Sequence, residues 1–349
     1  MEPNGGYGGS GLMAARGLVT LTDSGMKREY FVGKKQVDHV TLSEPVIGDV
    51  FTQQAITEAA IAYRNQAYIA REIAPVVEVE KDSGKVWVVD KANWLRDDAD
   101  PDRRPGTRAP RGGYTTTQLE YSLLEMAQAH PIPDRIARSS DAAIRIYERG
   151  SEFCMDRVLL RLERHAAATL MTTSVWGTDN TTATDWDDFS NGDPANDVNT
   201  AKRTVQEAIG RPANVAVMGQ IVYDAVSIHP DGLDRFKHTQ TGILTKEQVA
   251  QWLGLERVLI GTATRNTADE GATASMSPVW DDDCLVLYVP PAAALDVPAA
   301  CYTMVQRGRL LETKRFREEA EAQDVIEVAS PMQVLRTATD AGYFFSDIV

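Results

Sequence analysis

The chain is short of cysteine, of long apolar runs and of positive charge, and each shortage closes off a class of function. Only three cysteines (Cys154, Cys284, Cys301) occur in 349 residues. They form no C-x-x-C pair and are odd in number, so neither a disulfide framework nor a structural zinc is expected, and all three read as small buried hydrophobes. No stretch approaches the run of about eighteen apolar residues that a membrane span requires. The first residues, MEPNGGYGGSGLMAARG, lack the basic and apolar regions of a secretory signal, which points to a protein made and used in a cytoplasm. Lys and Arg number 36 against 50 Asp and Glu, a net charge of −14, which opposes tight, sequence-independent binding of nucleic acid. Within residues 197–300 there is no Gly-rich phosphate loop, no G-x-S-x-G and no H-E-x-x-H spacing. What remains is the composition of a globular protein, long enough for two domains or one large one.

Along the chain the texture changes several times. Residues 1–48 begin Gly-rich and carry no sustained period, the signature of an extended arm. IGDVFTQQAITEAAIAYRNQAYIAREIA reads as helix, with Ile56, Ala60, Tyr63 and Ala67 at helical spacing. GKVWVVDKANWL (84–95) and YTTTQLEYSLLEMAQAHPIP (114–133) are rich in β-branched and aromatic residues and read as two strands of a hairpin. Between them lies a tip, 97–113, that holds Asp97, Asp98, Asp100 and Asp102, then Arg103, Arg104, Arg108 and Arg111, among prolines and glycines. Such a run is either a solvated loop or a contact for another subunit. A long two-stranded ribbon is marginal alone in water, which favours the contact.

The longest helical signal is 139–174, with Ser139, Ser140 or Asp141 as candidate caps. Ile146, Phe153 and Leu160 recur every seven residues, and Tyr147, Cys154, Val158 and Leu162 widen the apolar face. A helix of this size spans roughly 50 Å. The acidic stretch that follows, TDNTTATDWDDFSNGDPANDVNT, narrowly misses a calcium loop, because Phe189 and Val198 stand where oxygen ligands belong, and it reads as a linker. From 197 onward helices and strands alternate. NDVNTAKRTVQEAIG and TKEQVAQWLGL are helices closed by Gly210 and Gly254. QIVYDAVSIHP is a helix ended by Pro230, and NVAVMG, ERVLIG and CLVLYVP are strands. Strand-like runs return at 325–328 and 334–335.

One segment looks like chemistry. HPDGLDRFKHTQ places His229 and His238 nine residues apart, with Asp231 and Asp234 between them, in a chain with five histidines. Imidazole and carboxylate are the usual ligands of a hydrolytic metal. The spacing matches no metal motif, however, and Val222, Val226 and Leu233 give the stretch an apolar face. Asp231 is favourably placed near a helix start. The architectural reading prevails, and no catalytic, cofactor or metal site is expected.

Arm, hairpin, long helix, α/β insertion and returning strands, in that order, resemble the major capsid proteins of tailed bacteriophages. These have the Hong Kong 97-type shell fold, which encapsulin nanocompartments share. The most specific residues are Leu244-Thr245, Leu253-Gly254 and Val258-Leu259-Ile260-Gly261 within 213–263, with the closing Asp340–Tyr343 turn. The resemblance covers residues 50–349 and implies an α+β fold divided as follows. An N-terminal arm (1–48) and a helical segment (49–76) precede the β-hairpin or E-loop (77–133). The peripheral P-domain (134–195) carries the spine helix, the axial A-domain (196–310) is the insertion, and terminal strands (311–349) return to the P-domain. It implies an icosahedral virion shell, assembled in the host bacterial cytoplasm from pentamers and hexamers around double-stranded DNA. A portal is an implied partner, the DNA would be touched weakly and non-specifically, and no membrane is involved. Asp97, Asp98, Asp100, Asp102, Arg103, Arg104, Arg108 and Arg111 become the proposed intersubunit contacts. The prototype of the family welds subunits through an isopeptide bond from an E-loop lysine. Here the tip bears arginines, which stay protonated, and Lys85 and Lys91 sit back in the rising strand, so covalent cross-linking is not expected. Non-covalent contacts or a separate cement or decoration protein would hold the shell. The long N-terminal scaffolding segment of some members has no counterpart here, so the expectation is either a separate scaffolding protein or a chain that is the form after cleavage, with Met1 favouring the former. Two other readings compete: an encapsulin-like compartment shell, told apart by its cargo, and an α/β enzyme within 197–300, told apart by turnover.

Overall fold

The computed structural model describes residues 18–22, 25–29, 31–32, 35–36, 68–89, 106, 108, 113–139, 143–181, 184–236, 242–269, 271–293 and 299–349. The chain divides into two compact units, 1–50 and 51–349. In the first, β1 (Leu18–Thr22) pairs with β2 (Gly25–Glu29), and β3 (Phe31–Val32) with β4 (Lys35–Gln36), all antiparallel. The expected arm therefore contains hairpins. The β-branched run LVTLT supplies local strand propensity that a search for long periods does not register. Of the helix expected in 49–76, only its end is described, as α1 (Ala70–Ile73). Ile56, Ala60, Tyr63 and Ala67 lie outside the described residues.

In the second unit β5 (Val76–Val79) leads to β6 (Ser83–Val89), which pairs antiparallel with β7 (Thr116–Ser122) as a separate ribbon. The run 114–133 is not one strand as expected. It breaks after Ser122, and β8 (Leu124–Pro133) leaves the ribbon for another sheet. The reason is a slip in alternation: Leu119, Tyr121 and Leu123 are the more covered positions of the ribbon side, whereas Met126, Gln128, His130 and Ile132 are those of β8. The covered face changes parity at Leu123–Leu124, and one strand cannot serve both sheets without that break.

β8 continues into α2 (Asp134–Ser139), then α3 (Ala143–Leu170), about 42 Å long at 1.5 Å per residue. The candidate caps Ser140 and Asp141 lie outside the described residues, and Ser139 ends α2. The buried face of α3 is Cys154, Met155, Val158, Leu159, Leu162, Ala166, Ala167 and Leu170. The expected heptad series is not that face: Phe153 is exposed and Ile146 and Leu160 are half-buried. At 3.6 residues per turn a strict seven-residue repeat drifts around the helix, so it marks only the rim of a face that packs on a sheet.

That sheet is built on β17 (Gln323–Arg336), a single strand where two short runs are expected. One edge of β17 carries β8, in register from Gln323↔Pro133 to Met332↔Leu124. The other carries β16 (Glu312–Glu318) and then β15 (Cys301–Gln306), with β5 parallel beyond β15. Pro331 has no N–H to give. It sits between the last β16 pair, Ala329↔Glu312, and the first β15 pair, Met332↔Val305, where that edge is interrupted. A proline beside an interrupted edge costs a strand less than one inside a ladder that is continuous on both sides.

The insertion begins with β9 (Thr178–Thr181) and α4 (Pro194–Ile209). Asp193 caps α4, accepting from the Asn196 amide, and Gly210 ends it at φ 73°. Then come β10 (Val215–Gly219), α5 (Gln220–Ser227), α6 (Pro230–Phe236), α7 (Lys246–Leu253) and β11 (Arg257–Gly261). Thr245 and Gln248 open α7 with a reciprocal capping box. Pro230 opens a new helix besides ending α5, since its fixed φ suits a first helical position. The small β12 (Thr264–Asn266) and β13 (Met276–Pro278) pair with each other, and β14 (Cys284–Leu287) and β18 (Gly342–Ser346) complete a mixed sheet, β11-β10-β14-β18-β9. Val215, Val217, Leu285 and Phe344 pack on the core shared with α3, while Ala216, Met218, Val286 and Phe345 pack beneath α4 and α7. Burial on both faces is why these strands read as unbroken apolar runs.

Candidate functional site

His229 is fully buried, between the Phe189 ring at 5.8 Å and the Trp252 ring at 5.7 Å. Its Nδ1 accepts from the Asp231 amide at 3.3 Å, so the imidazole caps the turn that starts α6. Asp231 Oδ2 lies 3.9 Å away, and His238 falls outside the described residues. Gly232 is held against Leu244 and Trp252 with no room for a Cβ. The segment is a tightly packed helix junction. The carboxylates of the near-miss calcium loop are engaged locally: Asp188 accepts from Ser190 and Asn191, and Asp197 from the Trp186 indole. Among the described residues no three His, Cys, Asp or Glu side chains are grouped to hold a metal ion. All three cysteines are free and buried, with the Cys154 thiol pushed up to about 11 and Cys301 to about 12 by burial, so neither is a ready nucleophile.

The ribbon β6–β7 has the character of a contact surface. Nearly every described side chain on it is exposed or half-buried, and Trp87 is 61% exposed. Lys85 is engaged across the ribbon with Glu120 at 3.0 Å. Of the eight tip residues singled out in the sequence, only Arg108 is described, and it is exposed. Asp97, Asp98, Asp100, Asp102, Arg103, Arg104 and Arg111, like Lys91, lie outside the described residues.

The base of the ribbon is anchored by a residue that sequence reasoning missed. Glu163 is a fully buried carboxylate on α3. It accepts from the Ile69 amide at 3.0 Å, from the Ala70 amide at 2.8 Å and from the Trp280 indole at 2.7 Å. Burial pushes its pKa up despite these three donors, which pull the other way. One side chain thus joins the long helix, the free amides at the start of α1 and the strand connection before β14. The signal was available: Glu163 shares an arc of the helix with Leu159, Leu162 and Ala166. Trp280 is seated in turn over Gly261, where a Cβ would lie 2.2–2.5 Å from its side-chain atoms. Gly261→Ala is therefore expected to destabilise the chain by roughly 1–3 kcal/mol through overpacking, measured by denaturant unfolding.

At the far end of β17 an ionic cluster ties α2, α3 and β16 together. Arg317 makes a two-pronged contact with Asp134, and Arg315 meets Asp324 at 2.7 Å. The Arg315 guanidinium lies 4.0 Å over the Tyr147 ring, whose hydroxyl donates to Asp324 at 2.8 Å. The Arg317 guanidinium holds the Asp134 carboxyl below its ordinary range. A groove between α3, β8 and residues 279–283 is lined by Arg157, Arg161, Arg164, His165, Arg265, Asp281 and Asp283. Burial, and then nearby Arg161, lower the pKa of the His165 imidazole below its ordinary value.

No family model matches the chain. It is 23% identical over 305 residues to the major capsid protein of Burkholderia phage BcepMu, covering 84% of this chain and 95% of that one. A crystallised phage-related protein from Bordetella bronchiseptica RB50 superposes with a TM-score of 0.69 at 21% identity, covering 86% of this chain and 98% of the other. The capsid of cyanophage P-SCSP1u gives a TM-score of 0.52 at 12% identity over 87% of this chain and 92% of that one. The fold is the α+β fold of phage capsid proteins. The Burkholderia phage relative is named a major capsid protein, a structural role.

Proposed function

We propose that the chain is the repeating subunit of an icosahedral phage head, assembled through pentamers and hexamers around double-stranded DNA. The observation that carries this reading is similarity to a phage major capsid protein over nearly that protein's whole length. The ribbon supports it, since a two-stranded element this exposed needs a surface to lie on. In this reading 77–133 is the E-loop region, with β6 and β7 the described part of the arm and β5 and β8 in the β17 sheet. Residues 134–195 with α3 form the P-domain, 196–310 the A-domain and 311–349 the returning strands; 1–48 and 49–76 are the arm and its helical lead-in. The tip residues 97–111 contact a neighbouring subunit without a covalent bond. Portal, separate scaffold and cement or decoration protein are the proposed partners, the virion its location, and the host cytoplasm the place of assembly. Both curated relatives are phage major capsid proteins, which favours this over an encapsulin-like compartment.

The test is the assembly state. Size-exclusion chromatography with light scattering, and negative-stain microscopy, are expected to show rings and closed particles built by head-to-tail contacts within each ring. A monodisperse monomer or dimer at every salt and concentration, even with co-expressed scaffold, would overturn the reading. Isolated subunits are also expected to bind duplex DNA only weakly, because a net charge of −14 opposes a polyanion. Nanomolar affinity at physiological salt, measured by fluorescence anisotropy, would refute that.

A further inference from the structure

Among the described residues β8 is paired on one edge alone, by β17. The parity of that ladder fixes what the other edge offers. The Asp134 amide, one step beyond β8, donates to the Ala322 carbonyl at 3.1 Å. Even-numbered residues therefore exchange hydrogen bonds with β17, and odd-numbered ones turn their N–H and C=O groups outward. The prolines agree with this: Pro131 and Pro133 stand at outward positions, opposite Val325 and Gln323. The Ala129 carbonyl, which accepts from Gln128 Nε2 at 3.0 Å, is one of the outward groups. Native sheets blunt an open edge with proline, charge or a bulge. Here the prolines close only the second half. Over Leu124–Ala129 the outward amides of Glu125, Ala127 and Ala129 meet no acceptor among the described residues. The side chains of those three residues are exposed, two of them are alanine, and Leu124 is 51% exposed.

A row of cations runs beside this open half. Arg157, Arg161 and Arg164 of α3 line one groove with Leu124 and Ala127. The Phe153 ring, one turn before Arg157, lies 5.6 Å from the His130 ring of β8. All three arginines are exposed, and among the described residues none has a carboxylate partner. They span about 10 Å of the helix axis, and three alternate side chains of an extended strand span about 13 Å. A strand laid on β8 thus brings one side chain near each guanidinium, and carboxylates are the groups that guanidinium binds best.

We propose that the edge of β8 from Leu124 to Ala129 takes an added strand from a separate protein, an extended segment with carboxylates at alternate positions. Main-chain bonds to the Glu125, Ala127 and Ala129 amides hold it, and the three arginines select its charge. This chain's own described run of three alternate carboxylates, Glu78, Glu80 and Asp82, is engaged within its subunit. Glu78 lies in the pairing of β5 with β15, Glu80 meets Arg307 at 3.8 Å, and the Asp82 carbonyl accepts from the Leu123 amide. The proposal concerns the single subunit and stands apart from the shell reading.

The test uses the unassembled subunit and a fluorescent peptide of four Glu-Thr repeats, followed by anisotropy. Binding is expected at low salt, to weaken as salt rises, and to be absent for a peptide of Lys-Thr repeats. Hydrogen exchange over 124–130 is expected to slow in the complex. The variant Arg157→Gln, Arg161→Gln, Arg164→Gln changes only exposed positions and should bind about tenfold more weakly or worse, with circular dichroism and melting unchanged. Ala127→Pro removes one outward amide and, like the native Pro131, no ladder bond, and should also weaken binding about tenfold. If that variant does not fold, two peptides N-methylated at alternate amides, one in each phase, take its place. One phase is then expected to lose binding about tenfold and the other to keep it. Equal binding by wild type and Ala127→Pro, or by both N-methylated peptides, would leave charge attraction alone and overturn the added strand. Equal binding by the triple variant, or none by wild type at low salt, overturns the docking surface. Displacement by a peptide of residues 95–112 of this chain, at lower concentration than the unlabelled probe needs, would give the edge to a second copy. Displacement by duplex DNA without protection of 124–130 would give the arginines to phosphates. Either result overturns the separate partner.

Discussion

Subunits carrying glutamate at Arg103, Arg104, Arg108 and Arg111 are expected to fold normally and to form almost no closed particles. The tip sequence around these arginines is proline, glycine and charge, with little apolar surface to bury, so its side chains contribute little to the fold of their own subunit. Circular dichroism and the melting temperature of the unassembled variant should match wild type. In a shell the same contacts recur in every copy. An exposed ion pair contributes only about 0.2–1 kcal/mol, but reversal replaces attraction with repulsion at each repeat, and the losses accumulate around every ring. Raising the salt should restore part of the yield, because screening weakens repulsion between exposed charges. Wild-type particle yield from this variant at low salt, counted by negative-stain microscopy, would show that the tip is only a solvated loop.

The second large effect is expected inside the subunit. Glu163→Ala leaves the Ile69 and Ala70 amides and the Trp280 indole without their acceptor, and opens a cavity beside them. Each orphaned buried donor costs roughly 1–3 kcal/mol, so a loss of about 3–5 kcal/mol is expected. For a chain of this size that corresponds to a fall in Tm of about 10 °C. Glu163→Gln keeps one acceptor oxygen but turns an NH2 group towards an N–H donor, and should cost about 1–3 kcal/mol. The two variants also differ from wild type in pH dependence. A carboxyl whose pKa is raised on folding holds its proton to higher pH in the folded state than in the unfolded one. Its contribution to stability is therefore greatest in acid. It declines as pH climbs from the ordinary glutamate range through the raised value. Denaturant midpoints across that range should decline for wild type and lose this component in Glu163→Gln. An unchanged slope would mean that Glu163 titrates normally.

The parts of the fold visible in the sequence are those where local chemistry and final environment agree. Thr245 and Gln248 announce the start of α7, Gly210 and Gly254 close their helices in left-handed geometry, and strands covered on both faces read as continuous apolar runs. The parts that misled depend on partners far along the chain. The division between β7 and β8 follows from a parity change at Leu123–Leu124, which has meaning only once β17, some two hundred residues later, is known to take up β8. Pro331 looks like a break because the interruption opposite it, between β15 and β16, is formed by another segment. Glu163 was overlooked because glutamate on a helix is ordinarily solvated, and nothing nearby in sequence shows that Ile69, Ala70 and Trp280 converge on it. The α3 groove was invisible for the same reason. Its arginines look like an ordinary solvent face, and only the fold brings β12 and residues 279–283 beside them.

The continuity from ribbon to sheet has a mechanical consequence. Only Leu123 separates β7 from β8, and β8 lies antiparallel along β17 from Met332 to Gln323. Tension on the ribbon enters β8 at Leu124 and runs along the strand axis, while the interstrand hydrogen bonds lie across it. The bonds are loaded together in shear rather than opened one after another, as they would be in peeling. An arm rooted in this way transmits a pull from its far end to the whole β17 sheet, and to the long helix packed on it, before any single pair gives way.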